Sequence, residues 1–503
     1  MGVIIRQSIK GTIYTYIGAA LGFVTQFFIV TKYLDPEVIG LTKVFYEVGT
    51  LCAGFALLGI VSSGMRFFPY FKDERTQNHG FLFYYLLIPF IGTLLVSLIY
   101  CLCKTPIVGF FSAKSAAFTD FFYLVVPLIF ILTFWQAFET YSNINLRIAF
   151  PKWVREVLLR ILLLVAYLLF AFHYIGLSTL LIALLVAYGM CMLADTMYVS
   201  RTTPFSIKHD SSFITKELRN KFLKYSGFLL LSVVTGNIIS QLDIFMLSSL
   251  KGLYSAGVYT IAFYMANIID MPSRSISAIS TPLAAEALKN GDFHKANQLY
   301  QQVSLHQLMA SGFIFLLIWV NMDNIYAIIP NGETFAEGRY VVLFLGLSKL
   351  ISTTLVFGGV LIQFSRYYYW SLFISAFLTI VTIVTNLYFI PRMGISGAAF
   401  ASLITCVISY SYQQFIVQRK VHGNPFTRNT LILILLLIIL WGINLFIPSL
   451  TSRSPWLDLS IRTLLIGCSG LLLVYKLNIS NEVTKVIGQT LHLTKLFSNR
   501  KNI

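Results

Sequence analysis

About fourteen stretches of roughly 20 mostly apolar residues, each bounded by charge, Gly/Pro or Asn clusters, restrict this chain to one environment. They lie near 11–31, 42–65, 81–103, 121–143, 157–173, 177–199, 223–249, 254–277, 303–329, 340–363, 367–390, 395–417, 429–447 and 459–476. A helix of that length crosses ~30 Å of hydrocarbon at 1.5 Å per residue. Of the 503 residues 57% are hydrophobic and only 11% charged, against about 25% charged in soluble domains. Mean hydropathy is +0.76. There is too little polar sequence to cover soluble domains, which excludes Rossmann, TIM-barrel and zinc-finger modules. Alternating strand patterns are missing, so an all-α polytopic membrane protein is expected and not an outer-membrane barrel. The cysteines Cys52, Cys101, Cys103, Cys191, Cys406 and Cys468 sit in or beside apolar runs without metal or disulfide spacing. Arg6 and Lys10 lead into a run too long for a signal-peptide core, so the first span reads as a permanent anchor.

The formal charge of +17 reads as topology and headgroup contact with membrane lipids, not as affinity for nucleic acid. With the N-terminus in the cytoplasm, most of the basic residues fall in inner segments. The densest cluster, Arg201, Lys208, Lys216, Arg219, Lys221 and Lys224, lies between spans 6 and 7. A frame shifted by one span puts that cluster outside, against the positive-inside rule. A multi-pass protein of the cell inner membrane with both termini cytoplasmic is therefore expected. The segment 482–497 reads as an amphipathic helix on the cytoplasmic leaflet.

Laid over itself with a shift of 217 or 218 residues, the chain repeats. Gly40 falls on Gly257, Phe28 on Phe245, Trp153 on Trp370, Gly176-Leu177-Ser178 on Gly394-Ile395-Ser396, and Ala183 on Ala401. The shift maps spans 1–6 onto spans 7–12. Six is an even number, so the halves enter the membrane in the same direction, and two parallel six-helix lobes around a central cleft are expected. The organisation is an N-lobe at 1–200, a cytoplasmic linker at 201–222, a C-lobe at 223–420, two extra C-terminal helices at 421–478 and a tail at 479–503. This is the architecture of an alternating-access carrier. Pro89, Pro127, Pro272, Pro282 and Gly358-Gly359 are either bending points or the Pro and Gly common in membrane helices. The GxxxG at Gly18–Gly22 reads as packing inside a lobe before dimerisation.

The residues that carry the repeat also carry a family resemblance. Lys32-Tyr33-Leu34-Asp35-Pro36-Glu37-Val38-Ile39-Gly40 resembles the turn between spans 1 and 2 of polysaccharide flippases in the multidrug/oligosaccharidyl-lipid/polysaccharide exporter (MOP) superfamily. Gly64-Met65-Arg66-Phe67-Phe68-Pro69, Gln241-Leu242-Asp243, Ser255-Ala256-Gly257-Val258-Tyr259, and Asn386 with Pro391 through Ala399 follow in the family's order over about 400 residues. The resemblance implies a flippase that moves undecaprenyl-pyrophosphate-linked oligosaccharides to the outer leaflet, with no cofactor beyond a coupling Na+ or H+. Polysaccharide polymerase and glycosyltransferases are the expected partners.

Ionised groups at membrane depth cost about 2.5–3.5 kcal/mol on insertion scales and mark function or local pairing. Lys43 with Glu47, Glu156 with Arg160, and Asp270 with Arg274 are i,i+4 pairs able to neutralise themselves. Lys349 lies ten residues past Arg339, ~15 Å along a helix, with no acid three or four positions away. It calls for a hydrated cleft, a partner on another helix or a bound anion. Lys349, with Arg66, Arg274 and Lys43, forms the candidate set for the pyrophosphate. Asp243, beside Asn237 and Gln241, falls on Gln26 in the first half, and an acid on one side of the repeat suits a cation site or an interhelical hydrogen bond. In resembling superfamily members an acid of span 7 and an Asn of span 11 hold sodium, which implies Asp243 and Asn386 here; Glu47 joins them as a coupling candidate. Glu139 and Asp195 near inner span ends read as interfacial caps.

The aromatic residues, 15% of the chain, suit interfacial belts with a few left for sugar stacking. Walker, H-E-x-x-H, G-x-S-x-G and dinucleotide motifs are missing, so the chain is not expected to be an enzyme. A membrane polymerase or glycosyltransferase remains the rival of a different class. Such an enzyme is expected to carry an acidic pair near the first outer loop; Asp35 and Glu37 are such acids, and a short proline turn already explains them. Within carriers the rivals are a multidrug antiporter and a peptidoglycan-precursor flippase.

Overall fold

The computed structural model describes residues 2–73, 76, 78–112, 115–203, 217, 220, 222, 226–227, 242–365, 367, 369–448, 454–480 and 482–485. Most of the basic cluster between spans 6 and 7, Asn237, Gln241 and the tail beyond 485 lie outside the described residues. Every described regular element is helical. In chain order the principal helices are α1 (Gly2–Val24), α2 (Pro36–Ala56), α3 (Ile60–Phe71), α4 (Phe81–Leu102), α5 (Val125–Ile144), α6 (Leu159–Ala171) and α7 (Leu177–Thr202). They continue with α8 (242–251), α9 (Leu253–Ile268), α10 (Met271–Lys289), α11 (Phe293–Val320), α12 (Arg339–Phe364), α13 (Trp370–Met393), α14 (Ile395–Ile416), α15 (Arg428–Asn444) and α16 (Pro455–Lys476). Among the described residues ten helices are long and apolar enough to cross a membrane, and α15 is a shorter apolar helix. This is an all-α polytopic membrane protein.

Two spans are broken where the sequence reads as continuous. The second becomes α2 and α3 because Leu58 and Gly59 take φ of 48° and 74°, left-handed values that end a right-handed helix. The eighth becomes α9 and α10 at Ile269–Asp270, with Pro272 in the first turn of α10, where its missing N–H is tolerated. Asp35 occupies the N-cap position of α2, with Pro36 and Glu37 in its first turn. The acids that the enzyme reading relies on thus start a helix.

The chain forms two compact units, one of residues 1–260 with 382–395, the other of 261–381 with 396–503. In the first, Leu57, Phe68, Phe71, Phe81, Tyr85, Phe138 and Tyr141 make an aromatic-rich core. Gly18 lies against the Glu156 carbonyl and Gly22 against the Arg160 guanidinium, so the GxxxG stripe packs inside this unit. In the second, α11 packs on the hairpin α15–α16 through Leu305, Leu308, Leu316, Leu433, Leu436, Leu440 and Ile466. One end of that hairpin is held by buried Arg462. Its Nε donates to Asp458 (3.0 Å), its Nη1 to Asn444 (2.6 Å) and its Nη2 to the carbonyls of Ile447 (3.2 Å) and Pro448 (3.1 Å).

The first unit contains residues from both halves of the repeat, and there the repeat has a local counterpart. A Cβ on Gly40 would strike the carbonyl of Leu253, and a Cβ on Gly257 would strike the carbonyl of Pro36. Pro36 and Leu253 are themselves 217 apart. Residue i therefore meets j′ while i′ meets j, the reciprocity of a two-fold contact. Backbone rather than a flexible side chain opposes both glycines. Gly257→Leu should accordingly destabilise the protein by about 1–3 kcal/mol, read as a lost monodisperse fraction and a lower unfolding temperature in detergent. Gly467→Ala, with open space around it, should leave both unchanged.

Candidate ion and headgroup sites

The residues most separated in sequence are brought together most closely. Asn386, fully buried on α13, donates from Nδ2 to Asp243 Oδ1 on α8 at 2.8 Å. Tyr259 on α9 donates its hydroxyl to Asp243 Oδ2 at 3.1 Å. All three residues belong to the first unit. Asn386 Oδ1 is buried without a hydrogen-bond partner, an acceptor beside a carboxylate. Carboxylate, amide and phenol oxygens are hard donors, the set that suits Na+ or a proton more than a soft metal. Turning the Asn386 amide over replaces its N–H with that free oxygen, so one side-chain rotation converts a hydrogen-bonded acid into an oxygen cage. Tyr259 was visible in the sequence only as part of a turn motif. Its role as second partner of Asp243 depends on α8 and α9 packing, which no local spacing encodes.

Lys43 and Glu47 on α2 form their ion pair, and Lys43 Nζ also lies 5.9 Å from the centroid of the Tyr46 ring. Glu47 is buried, with Oε2 unpartnered. Glu156 and Arg160 pair at 3.2 Å. Asp270 and Arg274 are looser at 3.9 Å, and Asp270 Oδ1 accepts from Ser273 at 2.8 Å. Arg66 is exposed on α3, one turn before Pro69. Lys349 lies within α12, half-buried, and no acid reaches ion-pair distance of it among the described residues. The four candidate headgroup residues divide evenly between the units, Lys43 and Arg66 in the first, Arg274 and Lys349 in the second.

Glu139 and Asp195 are not interfacial caps. Glu139 pairs across helices with Arg155. Asp195 is fully buried seven residues before the end of α7 and accepts from Trp135 Nε1 of α5 at 2.8 Å. Counting from helix ends placed both at an interface, whereas burial depends on which helix lies across from them.

The model of a family described as polysaccharide biosynthesis protein matches residues 5–288, and a MatE model matches residues 229–388. No curated protein sequence matches the chain. Among solved structures the fold is similar to the lipid II flippase MurJ in an inward closed conformation. That likeness has a TM-score of 0.73 at 14% identity and covers 94% of this chain and 100% of that one. It is also similar to an inward-facing multidrug resistance MATE transporter of the MOP superfamily, with a TM-score of 0.60 at 16% identity, covering 83% and 98%. A MOP superfamily transporter from Pyrococcus furiosus matches with a TM-score of 0.57 at 14% identity, covering 84% and 95%. The fold is that of MOP transporters.

An unpaired cation at this depth in a helix needs water or an anion beside it. Lys349→Cys, in a background with the six native cysteines replaced by alanine, should therefore react with a charged, membrane-impermeant thiol reagent. A Cys at Leu471, exposed on apolar α16, should react at least about tenfold more slowly, because thiolate forms poorly in hydrocarbon.

Proposed function

Because the chain belongs to the polysaccharide biosynthesis protein family, which matches residues 5–288, we propose that it flips oligosaccharides linked to undecaprenyl pyrophosphate from the cytoplasmic to the outer leaflet by alternating access. The observation that carries this reading is Lys349, a half-buried cation inside a long apolar helix with no acid in reach among the described residues. A lipid-linked pyrophosphate supplies the missing negative charge and brings its own apolar tail. Arg274, in the same unit, adds positive charge for that headgroup, and Arg66 and Lys43 are candidate headgroup contacts of the first unit. In this reading the protein sits in the inner membrane with both termini cytoplasmic, and polymerase and glycosyltransferases stand on either side of its step.

The oxygen cluster of Asp243, Asn386 and Tyr259 supplies the driving ion. A cation at Asp243 ends the need for the Asn386 N–H and turns its amide. Conformations with and without that hydrogen bond then differ in cation affinity, which is the requirement for coupling. Glu47, already neutralised by Lys43, serves this reading as a secondary coupling group.

Similarity to a lipid II flippase over 94% of the chain favours a second reading, a peptidoglycan-precursor flippase. A drug antiporter is less well supported. The multidrug MATE transporter covers 83% of this chain against 94% for the lipid II flippase.

Expression in a strain lacking its own polysaccharide flippase tests the proposal, with surface polysaccharide and cytoplasmic-side lipid-linked repeat units as readouts. Restored surface polymer is expected, and rescue of a lipid II flippase depletion without it would favour the second reading. Lys349→Ala should lower export and raise the lipid-linked pool. Asp243→Asn should retain substrate binding and lose about 5–150-fold of its dependence on the ion gradient, the usual range of a coupling free energy. Export by Lys349→Ala at the normal rate would remove the headgroup assignment.

A further inference from the structure

Among the described residues of the first unit, three acids of the apolar helices have a basic partner. Lys43 with Glu47, Glu156 with Arg160, and Glu139 with Arg155 are pairs. Asp195 has no cation at ion-pair distance among the described residues, although it is fully buried. Its Oδ2 accepts from the Trp135 indole, while its Oδ1 is buried with no hydrogen-bond partner. Nearby a donor is orphaned too. The Arg155 guanidinium pairs with Glu139 and lies 4.8 Å from the centroid of the Trp135 ring, and its Nε is buried and unpartnered.

Each neighbouring element contributes to this arrangement. α5 presents Trp135 and Glu139. Arg155 comes from a π-helical turn, Val154–Leu158, a local widening common at functional sites. α7 itself adds Cys191 and Tyr188, and Tyr188 stacks on Tyr46 of α2 at 5.4 Å, next to the Lys43–Glu47 pair. Glu139 and Arg155 are the ionic groups whose fields reach Asp195. Two carboxylates thus face one guanidinium, which pairs with Glu139, and the surplus negative charge falls on Asp195, itself fully buried. Such a charge is costly unless a cation joins it.

We propose that the Trp135–Glu139–Arg155–Asp195 cluster is a second cation site, taking one proton or one Na+ at Asp195 Oδ1, separate from Asp243. With the cation bound, Arg155 stays on Glu139. When the cation leaves, Asp195 competes for the guanidinium, and the orphaned Nε is the donor that reaches it. No bond other than the O–H of a bound proton forms or breaks.

Trp135 reports on the site directly, because its indole N–H is bonded to Asp195. The test uses the full-length protein in nanodiscs with Trp135 as the sole tryptophan, the other five of the six changed to Phe. Emission is followed from pH 5 to pH 8 in K+ and in Na+ at equal ionic strength. A pH-dependent shift indicates a proton, and a shift on exchanging K+ for Na+ indicates sodium. Either response should vanish in Asp195→Asn, which keeps an acceptor for the indole, and persist in Asp243→Asn. Arg155→Gln removes the competing cation and should lower the half-saturating H+ or Na+ concentration about tenfold or more. It keeps the proposal testable should Asp195→Asn fail to fold. Emission flat to both ions, a response that survives Asp195→Asn, or an unmoved midpoint in Arg155→Gln would overturn the proposal.

Discussion

A charge in hydrocarbon must be matched within a few ångströms, and much of this structure follows from how each one is matched. Away from a hydrated cleft water is not there to do it, and helices spaced 8–10 Å apart leave little room for mobile counter-ions. The simplest solution is to place both signs on one helix face. Lys43–Glu47, Glu156–Arg160 and Asp458–Arg462 do so at i,i+4. Asp458–Arg462 also shows what complete burial requires. Arg462 gives hydrogen bonds to a carboxylate, an amide and two carbonyls, and Asp458 receives a second from Asn324 at 3.0 Å. That saturation makes it a structural bolt for the α15–α16 hairpin. The same test separates it from Asp195, which keeps an empty acceptor.

What was legible in the sequence follows the range of the interactions. Spans are long local signals, and α12, expected at 340–363, is Arg339–Phe364, while most of the expected span at 223–249 lies outside the described residues. The i,i+4 pairs needed only helix periodicity. The second span was placed at 42–65 because its charges obscured a start at Pro36 and its Leu58–Gly59 break is left-handed backbone, a conformation that hydropathy does not register. Contacts between helices were legible only where something else linked the residues, as the resemblance linked Asp243 to Asn386. Nothing linked Glu139 to Arg155, or Trp135 to Asp195, sixty positions apart. Their caps-at-an-interface reading failed for that reason.

The repeat occupies a middle position. It is a long-range regularity, yet it appears in the sequence as a fixed shift, and its sharpest residues are glycines. The structure gives those glycines a reason. At Gly40 and Gly257 the opposing atom is a backbone carbonyl, so no side chain at either position can be accommodated by a rotamer change. Each glycine is required by the other half's helix start.

The two acids proposed as cation sites stand out against that regularity. Under the 217 shift Asp243 falls on Gln26, and under the 218 shift that holds from Gly176 to Ala183, Asp195 falls on Gln413. In each case the other half carries a neutral amide of similar hydrogen-bonding reach. Gln413 uses its amide to donate to the Leu355 carbonyl at 3.0 Å, a bond a carboxylate could not make. The halves run in the same direction, so repeat-equivalent positions carrying the same residue offer the same group twice, once in each half. Replacing an amide by an acid at one copy of a position adds a charge that a cation can switch on one side only. With Asp243 and Asp195 at inequivalent positions, that asymmetry can be set twice and independently, by ions that meet different neighbours: an amide and a phenol at Asp243, an indole and a shared guanidinium at Asp195.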